Sequence, residues 1–237
     1  MVKFVNKMER LGIFGGTFNP IHFGHLRVAV EVRELFSLDS ILFIPSAQPP
    51  HKNLSNIANP KDRHYMTQLA IQSYPFFQLS SIELEREGLS YTIDTIKSLQ
   101  QQYTPNIQFF YMIGIDAFLA IHTWKNFQNL FNEIPFIVMS RPVNEDNNIA
   151  CMSIANNSLI DYIHTTISKD YAHNNENKCF NHPNKQPLYY CQVTSLDISA
   201  SKIRRLVKMN QSIHFLLPDN VIHYMTHKQL YKGIKQT

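Results

Sequence analysis

Residues 11 to 26 read Leu11-Gly12-Ile13-Phe14-Gly15-Gly16-Thr17-Phe18-Asn19-Pro20-Ile21-His22-Phe23-Gly24-His25-Leu26. The run Leu11 to Phe14 is short, apolar and without helical period, the pattern of a buried parallel strand. From Leu26 to Phe36 the apolar residues Leu26, Ala29, Val30, Val32 and Leu35 recur at helical spacing, with Arg27, Glu31, Arg33 and Glu34 on the other side. The spacing predicts a strand, a glycine-rich turn and a helix. Such a unit opens a parallel sheet, and parallel sheets bind ligands at the carboxyl ends of their strands.

The chemistry of the turn follows from its small residues. Gly15 and Gly16 allow close approach of the backbone to a ligand, and a helix beginning near His22 offers unpaired N–H groups with partial positive charge. That combination suits a phosphate. No Gly-Lys-Ser/Thr follows, so the turn is not a P-loop, and Gly12, Gly15 and Gly16 do not make G-x-G-x-x-G. Instead two imidazoles, His22 and His25, stand three residues apart on one face of a first helical turn, within reach of one phosphoryl group. On these residues alone, capping histidines, core histidines and half of a metal site stay open; a metal site normally needs three or four ligands.

Along the rest of the chain strands and helices alternate, which predicts an α/β protein: a Rossmann-like, doubly wound parallel sheet with helices on both faces. Ser40 to Pro45 reads as a second strand, followed by a long irregular stretch, Ser46 to Pro60. Stretches of that length usually carry function. Asp62 reads as the cap of a helix running to about Tyr74. Phe77 to Leu84 alternates like a strand, a helix runs from Ser90-Tyr91-Thr92 to about Gln102, and Ile107 to Ile113 and Phe136 to Ser140 are strands. Gly114-Ile115-Asp116 sits at a strand's carboxyl end. Residues 144–187 read as a helix over Ile154 to Ile167 and then a surface excursion, with the sheet resuming over Tyr189 to Val193. A small helical part, 198–237, closes a single domain covering 1–237, in which residues 1–7 are a dispensable extension.

The chain has 237 residues, 44% of them hydrophobic, and a formal charge of +4. That is enough for one α/β domain. No segment approaches a membrane span and the N-terminus lacks an apolar signal core, so the expected location is the cytoplasm. Cys151, Cys179 and Cys191 are odd in number and form no C-x-x-C pair, which argues for reduced thiols. His173, Cys179, His182 and Cys191 match no zinc spacing, and no metal-binding residues are assigned. The basic residues are dispersed, which points away from nucleic acid and towards a surface that steers an anionic small substrate.

A second cluster is Ile198-Ser199-Ala200-Ser201-Lys202-Ile203-Arg204. Ser199 is a good N-cap and Ile203 and Leu206 begin a helical stripe. Lys202 and Arg204 stand where the helix dipole disfavours cations by a few tenths of a kcal/mol. A bound anion would reverse that preference, and an exposed basic face is the alternative.

Together these runs resemble the signatures G-G-T-F-(D/N)-P-x-H-x-G-H and I-S-(S/T)-x-x-(I/V)-R of the nicotinate mononucleotide adenylyltransferases, within the nucleotidyltransferase superfamily. Pro50-His51-Lys52, Arg63-x-x-Met66-x-x-Leu69-Ala70, Ser90-Tyr91-Thr92, Gly114-x-Asp116, Trp124 and Leu216-Leu217-Pro218 follow in the order found there. Two positions depart: Asn19, where many members have Asp, and Ala200, where Ser is more usual.

The resemblance implies transfer of an adenylyl group from ATP to nicotinate mononucleotide, with Mg2+ bound mainly through the ATP phosphates. His22, His25, Lys52 and Arg204 would be the catalytic residues. ATP would be bound by Gly15, Gly16, Thr17, Phe18, Asn19, His22, His25, Gly114, Asp116, Ile198, Ser201 and Arg204. Nicotinate mononucleotide would meet Thr17, Thr92, Trp124 and Lys125. The partners implied are these two substrates, with neither nucleic acid nor membrane, and a homo-oligomer is compatible. Nicotinamide mononucleotide or phosphopantetheine as acceptor, and a nucleotide-binding regulator without turnover, are the alternatives.

Overall fold

The computed structural model describes residues 8–50, 57–140, 159–174 and 179–232. Lys52, Cys151 and the first five residues of the expected helix from Ile154 lie outside the described residues, and so do residues 1–7. In chain order the elements are β1 (Glu9–Gly16), α1 (Phe23–Leu35), β2 (Ser40–Pro45), α2 (Pro60–Ile71), β3 (Phe77–Leu79), α3 (Thr92–Gln102), β4 (Ile107–Gly114), α4 (Ile115–Leu119), α5 (Phe127–Glu133), β5 (Phe136–Ser140), β6 (Ala172–Asn174), β7 (Cys179–Asn181), β8 (Leu188–Gln192), α6 (Ala200–Lys208) and α7 (Asp219–His227). A π-helical turn over Ile163–Ile167 ends the helix that the periodicity placed there.

These elements form two compact units, one of residues 1–13 and 91–194, the other of 14–90 and 195–237. In the first, the strands run in the order β1, β4, β5, β8, β7, β6. Pairings β1 with β4, β4 with β5 and β5 with β8 are parallel. In the second, β2 pairs in parallel with β3, and Ser46 N–H donates to Gly16 O at 2.8 Å, holding the end of β2 beside the end of β1. Strands in each unit are flanked by helices, the Rossmann-like α/β arrangement expected.

Where burial is complete the sequence pattern was sharp. All six residues of β2 and all five of β5 are buried, as continuous apolar runs require of strands covered on both faces. In the second unit Phe43 of β2 gathers Phe14, Phe18 and Phe77 around it, with centroids 5.0–5.8 Å away.

Four expectations are corrected. The sheet is not wholly parallel: β6 with β7 and β7 with β8 are antiparallel. They come from the presumed surface excursion, whose Tyr171, Cys179 and Phe180 are buried. Strand β3 stops at Leu79: Ser80 N–H makes the last bond to β2, at Phe43 O, and a turn then ties Leu84 and Glu85 to Ser81 O. Helix α2 is capped by Asn59, whose side chain accepts from Lys61 N–H, with Pro60 at the first position; Asp62 lies inside the first turn. No described helix is long and apolar enough to cross a membrane.

Candidate active site

The phosphate turn lies in the second unit. Past β1 the chain reaches Phe18 at φ 43°, a left-handed conformation costing a non-glycine residue about 1–2 kcal/mol. Its ring is only 3% exposed, and burying a Phe contributes about 1.5–3 kcal/mol, enough to offset the strain. The ring folds back under the turn. A Cβ on Gly16 would come 3.0 Å from it, so the glycine is required by Phe18 itself. Phe18 therefore has its backbone, not its ring, to offer a nucleotide, and its ring edge supports His25 at 5.1 Å and 85°.

His22 is the N-cap of α1, extended at φ −153°, and is buried. Its ring stacks on that of His25 with centroids 3.7 Å apart and planes 24° apart. Nδ1 of His25 accepts the His22 backbone N–H at 3.3 Å, one arm of a capping box that closes the helix start. Gly24, absent from the expected site, proves necessary to it: a Cβ there would press on the His22 ring at 3.1 Å.

Two arginines hold the turn. Arg63 of α2 is fully buried and donates to three backbone carbonyls: Thr17 at 2.8 Å, Ala58 at 2.9 Å and Ala47 at 3.0 Å. Its guanidinium thus fastens the loops after β1 and β2 to α2. Burial pulls its pKa down, and Tyr231 and Glu83 partly oppose this. Arg204 of α6 donates to Asn19 O at 2.7 Å, which places the arginine of the second signature against the first, and to Ser201 Oγ at 3.2 Å.

The charge problem at the start of α6 is half resolved inside the chain. Ser199 caps it by accepting from Lys202 N–H, and the Lys202 ammonium pairs with Asp197 at 2.9 Å. That exposed pair contributes under about 1 kcal/mol, but it neutralises one of the two cations. Ile198 contributes backbone, its carbonyl oxygen lying 3.6 Å from the Gly24 Cβ position. Asn19 is buried, and its Oδ1 accepts from Ala58 N–H at 3.0 Å and from Tyr231 OH at 2.6 Å. These bonds need an acceptor, which an amide supplies as well as a carboxylate.

The remaining expected residues belong to the first unit. Thr92 opens α3, and its hydroxyl lies 3.4 Å from that of Tyr111. Trp124 meets the same Tyr111 edge-on, with centroids 6.3 Å apart. Lys125 pairs with Asp94 of α3 at 2.9 Å and sits over the Tyr91 ring at 4.6 Å. Its ammonium thereby tethers the Trp124 segment to the start of α3. Gly114 and Asp116, at the carboxyl end of β4, are exposed. Arg63, Tyr111 and Tyr231 were missed as site residues. Their roles rest on contacts distant in sequence, although the Arg63 motif was itself a visible signal.

A glycine-rich turn between a parallel strand and a helix, topped by stacked histidines and braced by an arginine from a second helix start, defines a nucleotide-binding α/β protein of the nucleotidyl-transfer class. Residues 13–206 match the family model described as Cytidylyltransferase-like. The chain is 41% identical over 224 residues to a "Probable nicotinate-nucleotide adenylyltransferase" of Desulfatibacillum aliphaticivorans, covering 94% of this chain and 99% of the relative. It is 37% identical over 226 residues to one so named from Geotalea uraniireducens, covering 95% and 100%. Among solved structures, the Plasmodium falciparum nicotinic acid mononucleotide adenylyltransferase complexed with NaAD has a TM-score of 0.66 at 20% identity, covering 94% of this chain and 97% of that one. The chain belongs to the cytidylyltransferase-like family and, within it, to the nicotinate-nucleotide adenylyltransferases.

Proposed function

We propose that the protein transfers the adenylyl group of ATP to nicotinate mononucleotide, forming nicotinate adenine dinucleotide and releasing pyrophosphate, a step of NAD biosynthesis. The observation that carries this reading is the stacked His22 and His25 pair at the start of α1. The acceptor is inferred from the names of the relatives, and the family match runs through both units, supporting one nucleotidyltransferase domain.

In this reaction an oxygen of the acceptor's 5′-phosphate bonds to the α-phosphorus of ATP. The bond from that phosphorus to the bridging oxygen breaks, and pyrophosphate leaves with the electron pair. The attacking phosphate has no proton that must be removed. The chain therefore needs no nucleophile or general base, only alignment and charge stabilisation. Alignment can supply as much as about 7–11 kcal/mol, and a preorganised donor about 3–4 kcal/mol.

We assign the α and β phosphates to His22, His25 and the N–H groups of the turn, with Gly15, Gly16 and Thr17 allowing approach. Ser201 and Arg204 take the β and γ phosphates, and Lys52 adds a cation. Gly114 and Asp116 suit the nucleoside. Trp124 offers a ring face for the pyridine and Thr92 a hydroxyl for its carboxylate. Among the described residues no three His, Cys, Asp or Glu side chains gather to hold a metal ion. Mg2+ comes with the substrate, carried on the ATP phosphates.

The test is pyrophosphate release from ATP with nicotinate mononucleotide, nicotinamide mononucleotide and phosphopantetheine in parallel. Turnover is expected with the first at a kcat/KM well above the others. ATP binding without product in all three arms would overturn the assignment.

A further inference from the structure

Tyr231 stands well beyond the two signatures, yet its hydroxyl reaches Asn19 Oδ1 at 2.6 Å. Asn19 is 6% exposed, so water is no ready substitute for that donor. The same residue's backbone carbonyl accepts from Arg204 at 2.7 Å. Side chain and carbonyl of one buried asparagine therefore link Tyr231 to the guanidinium assigned to the triphosphate.

The placement of Tyr231 is built, not incidental. Helix α7 is fastened to α2 by Tyr224 OH to Asp62 at 2.7 Å and by the Asn220 amide to Leu69 O at 2.6 Å. Beyond α7 the chain turns, with Leu230 N–H on Met225 O at 2.9 Å, and Tyr231 takes φ 63°. That left-handed conformation is one a non-glycine residue holds only against its local preference. Burial raises the phenol above its ordinary value, with Arg204 and Arg63 opposing; the hydroxyl remains a donor throughout the neutral range.

We propose that Tyr231 is a positioning residue for the ATP triphosphate: by holding the Asn19 side chain it fixes the carbonyl on which Arg204 rests, and so orients Arg204. This rests on the assignment of Arg204 to the β and γ phosphates. Tyr231 touches no reacting atom. Its loss should weaken ATP and leave the acceptor alone.

The experiment uses the full chain and the variant Tyr231→Phe, which keeps the ring and removes the donor. KM for ATP should rise about 10-fold, the size of one lost hydrogen bond to a strategic group. KM for nicotinate mononucleotide should stay within about twofold. On an Arg204→Ala background, Tyr231→Phe should change KM for ATP no further. An unchanged KM for ATP in the folded variant, or an equal further rise on the Arg204→Ala background, overturns the proposal. If Tyr231→Phe fails to fold by circular dichroism, Asn19→Ala carries the test: an ATP-selective rise that vanishes on the Arg204→Ala background supports it, and an unchanged KM, or an equal further rise on that background, overturns it. Calorimetric titration with ATP alone gives the same comparison without turnover. A wild type that binds ATP but makes no dinucleotide sinks the adenylyl-transfer reading, while the ATP Kd of Tyr231→Phe still decides this one.

Discussion

Nδ1 of His25 accepts the backbone N–H of His22 at 3.3 Å while the two rings stack 3.7 Å apart. A ring nitrogen that accepts a hydrogen bond carries no proton, so the single proton of a neutral His25 ring sits on Nε2. The capping bond thus selects the tautomer whose other nitrogen can donate to a phosphoryl oxygen. His25→Ala is expected to lower kcat about 10²–10³-fold, the usual loss for one preorganised donor. Loss of the cap should cost only about 1 kcal/mol of stability. Pyrophosphate release and thermal melting separate the two; near-normal turnover in a folded variant would remove His25 from the chemistry.

Arg63 donates to Thr17, Ala47 and Ala58 from a fully buried position. Arg63→Met would leave three carbonyls without this donor, each worth about 1–3 kcal/mol when stranded. A destabilisation of at least about 3 kcal/mol is expected in urea unfolding. Arg63→Lys should recover only part of it, because one ammonium cannot reproduce a planar fork aimed at three oxygens. A loss below about 1 kcal/mol for the methionine variant would show that the loops hold themselves.

Local chemistry made much of this legible. Strand β2 and β5 were bounded to the residue because unbroken apolar runs flanked by polar turns have few other uses. Ser199 was read as a cap and is one. The histidine turn was read from its glycines, although Gly16 answers to the Phe18 ring and not to a ligand alone. Pro60 after Asn59 is the start signal of α2, and Asp62, which also suits a cap, lies inside the first turn. What stayed hidden was long-range. Arg63 meets Thr17 across 46 residues and Tyr231 meets Asn19 across 212, and no periodicity records such pairs. Strands β6 and β7, three residues each, are too short for alternation to stand out.

Trp124 and Thr92 share Tyr111 as a common support. If the indole face receives the pyridine ring, Trp124→Ala should raise KM for nicotinate mononucleotide about 10-fold or more, since stacking a base on an aromatic ring is worth about 1–3 kcal/mol. KM for ATP should move less than about twofold. Trp124→Phe should restore part of the loss. Equal losses for both substrates would argue for a packing role and against a platform.

Burial first, and then the Asp62 carboxylate that accepts its hydroxyl at 2.7 Å, push the Tyr224 phenol from 10.0 up to about 12. The folded state therefore keeps a proton that the unfolded chain releases above about pH 10. With more protons bound to the folded state, stability falls as pH rises. The contribution of Tyr224 is fully present below about pH 10 and is lost progressively as the pH climbs to about 12. Burial moves Tyr231 in the same direction, so wild type should lose urea resistance steeply across this window. Tyr224→Phe cannot ionise and should show a flatter profile there, from a lower starting stability near pH 8 because Asp62 has lost its donor. Profiles that run parallel from about pH 10 to 12 would mean that the phenol of Tyr224 titrates alike in both states, and that its bond to Asp62 does not tie α7 to α2.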